Sequence, residues 1–318
     1  MASTATNLLN QVKVQAGWPS SGGYLTEAEV LSLADDEMLT PGASLLRKAR
    51  EEYWVTTAAD VAVSDASAKV RIPSRALGSA LRDVLITKDT TVWSAPEVSS
   101  EDAWRYQDGS TGLWNSPFGF YCESSHIVLL PTPTNSDYSV RFRYYRRPSE
   151  LIEASTTASG VTTHHVGVVA SVSTNVVTLV NAPPSTFSTA ETFDIIDGLS
   201  PHDAISDDLG ISSLDSSAKT MTFSADVDSS VKAGDYIALA GKSPVVQIPT
   251  AIVPVLVLAT MRAMHQSSGD LQAAASAEQQ LGRKMAAVLQ LIEPRVIGER
   301  PVVINRTSAL RGGGGRGW

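Results

Sequence analysis

The stretch Tyr138-Ser-Val-Arg-Phe-Arg-Tyr-Tyr-Arg-Arg-Pro-Ser-Glu-Leu151 carries the clearest fold signal in the chain. Tyr138, Val140, Phe142 and Tyr144 alternate with Ser139, Arg141, Arg143 and Tyr145. A period of two predicts a strand with one apolar and one polar face, because successive side chains in a strand point to opposite sides. Arg146-Arg147-Pro148 ends the run. Just upstream, Pro131 to Asp137 is a dense turn cluster. Before it, Phe118, Phe120 and Cys122 alternate with polar residues, as do Ile127 and Leu129. The two runs flanking the turn predict an antiparallel strand pair.

Moving toward the N-terminus, Ser74 to Ile86 predicts a short helix, with Ala76, Leu77, Ala80, Leu81, Val84 and Leu85 on one side. Asp60 to Arg71 alternates small apolar and polar residues, as an extended segment does. A helix is predicted from about Gly42 to Trp54, with Ala43, Leu46, Ala49 and Tyr53 as its apolar positions. Thr26, with Glu29 three residues on, is a capping-box signature for a helix carrying Leu25, Val30, Leu33 and Ala34. Residues 1–23 are small and polar and read as an arm. They lack a basic start followed by an apolar run, so no signal peptide is expected.

Toward the C-terminus the composition changes. Val161 to Gln247 is rich in Ser, Thr, Val and Asp and poor in Lys and Arg. Short alternating runs between turns mark an all-β module. It repeats internally. Val169–Val172, Val176–Leu179 and Thr192–Ile196 have counterparts in Ile211–Leu214, Thr220–Phe223 and Asp235–Leu239, at a spacing of about 43 residues. Two copies of a three-strand unit predict a small barrel or sandwich with pseudo-twofold symmetry. Thr250 then reads as the cap of a helix running to about Gln266. Asp270 caps another, with Leu271, Ala274, Leu281, Met285, Val288 and Ile292 in helical period.

The reading that follows is α+β. A helical bundle from both chain ends carries a β-hairpin. A small β-barrel or sandwich is inserted, and the chain closes in an extended arm. The boundaries are 1–23 for the arm, 24–156 with 248–294 for the discontinuous helical domain, 157–247 for the β module and 295–318 for the C-terminal arm.

Chemistry is sparse. The 318 residues carry a net charge of −8, which argues against a body built to coat nucleic acid. One cysteine, Cys122, allows no intrachain disulfide and reads as a small buried apolar residue rather than a nucleophile. His164 and His165 are adjacent and point to opposite faces in a strand. His202, Asp203, Asp207 and Asp208 lack the spacing of a calcium loop and read as a solvated inter-strand loop. No nucleophile elbow, zinc-protease, P-loop or C-x-x-C pattern occurs. No apolar run approaches the roughly 20 residues of a membrane helix. These readings predict no enzyme activity, catalytic residue, metal or cofactor.

The C-terminal segment stands apart. From Arg295 to Trp318 it holds five arginines against Glu299 alone. Three readings compete: a solvated basic end, an Arg-Gly contact to nucleic acid, and a docking arm. The Val302-Val303-Ile304 run suits strand addition to a partner and orders the arm first.

Ile127-Val-Leu-Leu-Pro-Thr-Pro133, a turn, and then Tyr138 to Leu151 resemble phage head-to-tail adaptor proteins, where Leu-Pro-x-Pro precedes Tyr-Tyr-x-x-Pro. Ile72–Gly78 and Gly234–Leu239 resemble segments of the same group. The resemblance implies a virion protein at the head–tail junction, assembled in the bacterial cytoplasm. It implies a homo-oligomeric ring, usually of twelve copies, beneath the portal and joined to tail, nozzle or tube proteins. Genomic DNA would pass through its lumen without sequence-specific binding. By position at the chain end, Arg306, Leu310, Arg311, Arg316 and Trp318 would dock on the portal. The competing reading is a tail-associated or receptor- or carbohydrate-binding module using the inserted β domain.

Overall fold

A computed structural model describes residues 3–18, 25–42, 54–63, 69–99, 101, 118–132, 137–153, 166–199 and 204–292. The strand quoted above, β8 (Tyr138–Arg146), is the centre of a sheet. It pairs antiparallel with β4 (Ala76–Lys88) on one side and with β1 (Val55–Thr57) and β2 (Val61–Ala62) on the other. The hairpin partner of β4, β5 (Thr91–Ala95), forms the far edge. A second sheet orders β3 (Lys69–Arg71), β7 (His126–Leu130) and β6 (Gly119–Glu123). The apolar faces of the two sheets share one core, which includes Val84, Ile86, Ile127, Leu129, Val140 and Phe142, each 0% exposed. Phe118 sets its ring edge against Trp93 and Tyr138. The polar face of β8 carries Arg141 and Arg143, bonded to Asp60 and Asp83.

Two expectations fail here. The strands on either side of the Pro131–Asp137 turn do not pair; β7 and β8 lie in different sheets that share a core. Ile127, Val128, Leu129 and Leu130 are all buried, so β7 is covered on both faces, and its unbroken apolar run was the mark of that. The predicted helix over 74–86 is strand β4. Its helix-like spacing arises because the pairing slips between Ala76 and Leu81 and again between Leu81 and Asp83, with Gly78 at φ +56°. Past the slips, Val84 and Ile86 alternate inward, and packing overrides local propensity.

Among the described residues, four helices form the next layer: α1 (Ala5–Gln15), α2 (Glu27–Glu37), α3 (Val253–Ser267) and α4 (Leu271–Ile292). Residues read as an arm therefore contain α1, capped by Thr4, with Ala5, Leu8, Leu9 and Val12 buried at helical spacing. The capping box at Thr26 and Glu29 is present. A π-helical turn, Met38–Gly42, continues α2. The helix predicted from Gly42 to Trp54 falls almost wholly outside the described residues. Helix α3 is the hub of this layer, buried along nearly all of Val253 to Met261. Ile252, not Thr250, is its N-cap, without a side-chain bond. Asp270 caps α4 by accepting from the Ala273 N–H at 3.0 Å. Arg262 on α3 bonds Glu37 of α2 and Glu278 of α4, tying the three together. Among the described residues, no helix is long and apolar enough to cross a membrane.

Six further strands close a barrel: β10 (Val166–Ser173), β11 (Val176–Leu179), β12 (Thr192–Ile196), β13 (Ala204–Asp215), β14 (Thr220–Phe223) and β15 (Tyr236–Leu239). Their order around the barrel is β10-β11-β14-β13-β12-β15. Exchanging β10 with β13, β11 with β14 and β12 with β15 leaves every pairing unchanged. The repeat seen in the sequence is thus a twofold of the barrel. Each half carries the same bulge, at Ala170 and at Ser212. Phe187, Phe193, Met221 and Phe223 fill the interior. The chain leaves the sandwich through β9 (Glu150–Leu151) and returns from the barrel through β16 (Lys242–Ser243), and these two pair in parallel.

Phe142 tests the role of β8. Truncation by Phe142→Ala removes a fully buried ring at the centre of the sandwich and is expected to cost about 3–5 kcal/mol. Denaturant unfolding of purified protein measures it, and a loss under about 1 kcal/mol would contradict a single shared core.

Candidate functional site

The three layers meet where the quoted strand ends. Arg75, in the turn before β4, and Arg146, the last residue of β8, belong to the sandwich. The barrel offers Asp194 on β12 and Asp207 and Asp208 on β13. Arg75 forks onto both oxygens of Asp194, at 2.7 and 2.8 Å, and reaches Asp208 at 2.7 Å. Arg146 bonds Asp207 at 2.6 Å. Asp194 is 0% exposed, yet its carboxylate also accepts from the N–H groups of Asp208 and Gly241. A buried carboxylate with this many donors is fully satisfied. Burial pushes the Asp207 carboxyl up, and Arg146 works against that.

Beside this joint lies a cleft of about 420 Å³ between α2, the turn at Ser74 and Arg75, and the linker from Arg147 to Glu150. The linker is held from the helical side. Asp35 of α2 accepts from the Leu151 N–H with both oxygens, at 2.9 and 3.1 Å. Gln247 accepts from the Ser149 N–H at 2.7 Å, and its own carbonyl accepts from the Trp54 indole. Burial lifts the Asp35 carboxyl from its ordinary 3.8 to about 7; Glu150 and Asp36 add repulsion, while the Leu151 N–H and Arg147 oppose the rise. Three carboxylates, Asp35, Asp36 and Glu150, and two guanidinium groups, Arg75 and Arg147, thus line the cleft.

The predicted docking residues Arg306, Leu310, Arg311, Arg316 and Trp318 lie outside the described residues, as do His164, His165, His202 and Asp203. Asp207 and Asp208 are a correction: they sit on β13 and bind Arg146 and Arg75, rather than in a solvated loop. Cys122 is also a correction. It is exposed on β6: it shares a face with the buried Phe120 but lies at the strand's end, where both Cys122 and Glu123 are exposed. Partial burial and the nearby Glu97 push its thiol up, away from the reactive thiolate. Among the described residues, no group of three His, Cys, Asp or Glu side chains is placed to hold a metal. The reading missed Asp194, although an acid inside Thr192-Phe-Asp-Ile-Ile196 was a visible anomaly.

Two consequences are measurable. Arg75→Ala leaves Asp194 buried and without its ion partner, and is expected to destabilise by about 3–5 kcal/mol. Because the Asp35 carboxyl is raised on folding, folding takes up a proton between pH 3.8 and about 7, so its contribution to stability falls as pH rises through that window. Asp35→Asn keeps an acceptor for the Leu151 N–H and removes the titration. Thermal melts should show the variant more stable than the parent at pH 8 and level with it near pH 4; a parallel pair of profiles would refute the assignment.

The family model for SU10 adaptor protein matches residues 3–172, just over half of the chain. The matched residues run from α1 through the sandwich to the first barrel strand. No curated protein matches the chain. The chain belongs to the SU10 adaptor protein family, phage head-to-tail adaptors that are structural proteins of the virion and associate with portal and tail components.

Proposed function

We propose that the protein is the subunit of a homo-oligomeric ring, of about twelve copies on the family pattern, that sits between portal and tail. The single observation behind this reading is the adaptor match across α1, α2 and the sandwich. In this reading the C-terminal segment docks on the portal through Arg306, Leu310, Arg311, Arg316 and Trp318. Arginine and tryptophan are common anchors of interface hot spots. The segment is basic while the remainder of the chain is more acidic than the whole, so the cationic charge is gathered where a partner can take it. A segment of this composition costs ordering entropy in a free subunit and recovers it only against a partner.

DNA passes through the ring lumen without being read. A net negative subunit supports this, since it releases few counterions from phosphate and gives the duplex little to adhere to. The barrel has five of its six strands outside the matched residues. It is assigned the outward contacts, to nozzle, tube or other tail proteins. The chain acts by binding and not by catalysis.

Deleting residues 300–318 is expected to give heads that lack tails or leak DNA, seen by electron microscopy and by nuclease sensitivity of the packaged genome. Normal tailed virions in normal yield would defeat the docking role.

A further inference from the structure

A groove of about 610 Å³ opens in the helical layer, between the end of α1, α3 and the later turns of α4. Its floor is apolar, made by Pro254, Leu258 and Met261 of α3, the last two buried. Its rim is basic. Arg283 and Lys284 of α4 are exposed and pair with no described acid. The other end of α4 has the reverse character. Gly269, at φ +79°, turns the chain from α3 into α4. Asp270 follows, exposed and capping α4, and it pairs with no described cation. Leu271 comes next and is 73% exposed, although Leu281 and Leu289 of the same helix pack into the core. Between this tip and the groove, the exposed residues of α4 are uncharged but for Glu278, which Arg262 already holds. A surface without free charge costs little to desolvate, and charged residues are depleted at the cores of protein interfaces.

We infer that the groove receives the α3–α4 tip of a second copy of this chain, with Leu271 on the apolar floor and Asp270 against Arg283 and Lys284. The fit is double. An apolar knob beside a free carboxylate meets an apolar hole beside two free cations, and such charge pairing fixes the register of a contact more than its strength. The tip cannot serve the groove of its own subunit. Leu271 and Lys284 are thirteen residues apart on one helix, about 20 Å along its axis. The contact therefore joins different copies. It is also head-to-tail, because the two patches differ and every copy carries one of each. Contacts of that kind close into a ring when the rotation between copies allows it. The inference rests on reading the chain as a ring subunit, and it says which surfaces join the copies.

The test uses virions whose adaptor carries Cys122→Ser, which removes the native thiol, together with Gln272→Cys beside the tip and Gln280→Cys on the groove wall, both exposed positions. Within one chain these two positions are about 12 Å apart along α4, and a disulfide needs Cα atoms within about 7 Å. Mild oxidation should therefore give a ladder of adaptor oligomers beyond the dimer on a non-reducing gel. Either glutamine substitution alone should leave the chain monomeric on the same gel. Adding Leu271→Gln to the pair should lower the laddered fraction about tenfold or more, the effect of losing one buried leucine. Adding Arg283→Glu with Lys284→Glu should lower it several-fold. Melting temperatures of the purified variants check that the fold is kept. Dimers from either glutamine substitution alone would make the contact twofold and overturn the proposal. So would a crosslink from Gln280→Cys to another virion protein, or a ladder indifferent to Leu271→Gln. An amine-reactive crosslinker applied to parent virions separates the two readings. Copies that it joins, without the cysteine ladder, remove this contact and leave the ring standing; copies that it never joins remove the ring and this contact with it.

Discussion

The buried fork between Arg75 and Asp194 is the constraint on which the arrangement of the chain depends. The two residues are 119 positions apart and belong to different layers. Such a pair adds little net stability over an apolar contact of the same size, because both charges have lost water. Its value lies in the asymmetry. Any docking angle that separates the partners leaves an uncompensated charge in the interior, and that costs far more than the pair gains. The fork therefore fixes orientation. Asp208 and Asp207 extend it to a second acid and a second arginine, so the barrel meets the sandwich in one way.

The twofold of the barrel sharpens this point. A barrel made of two equivalent halves has two nearly equivalent faces to offer, and apolar packing alone would choose poorly between them. About the barrel's twofold, Asp194 has Ala238 as its counterpart: Phe193 and Ile237 both face the interior, and Asp194 and Ala238 follow them on the outer side. Only the first half carries the acid that Arg75 requires. One substitution within a duplicated unit thus selects the docking face. The parallel pairing of β9 with β16 supports the same choice, because it brings the outgoing and returning chain together at the joint. The insertion then costs the host layers little: its ends are adjacent, as a break in a surface loop demands.

How much of this could be read in advance follows from how local each signal is. The capping box at Thr26 and the helices α3 and α4 were legible because their signals span a few residues. The barrel was legible because a repeat makes a long-range arrangement visible as a short-range pattern. Helix α1 was missed although Ala5, Leu8, Leu9 and Val12 carried its period, since the polar residues around them dominated the impression. Strand β4 was misread because slipped pairing produces spacing that a helix also produces. The partner of β8 was misread because a turn says that two strands are neighbours without saying whether they pair or stack. The cleft was invisible. It is assembled from α2, a turn and a linker, and no local pattern marks such a meeting.

An adaptor subunit faces a conflict between staying single in the cell and binding firmly in the particle. Rigid layers with satisfied charges would solve the second and leave nothing to control the first. The chain separates the two tasks. Charges that set its internal geometry, at Arg75, Arg146 and Arg262, are paired and largely buried. The remaining basic excess is gathered in sequence on the last residues, so a partner that takes it need not break any of these internal pairs.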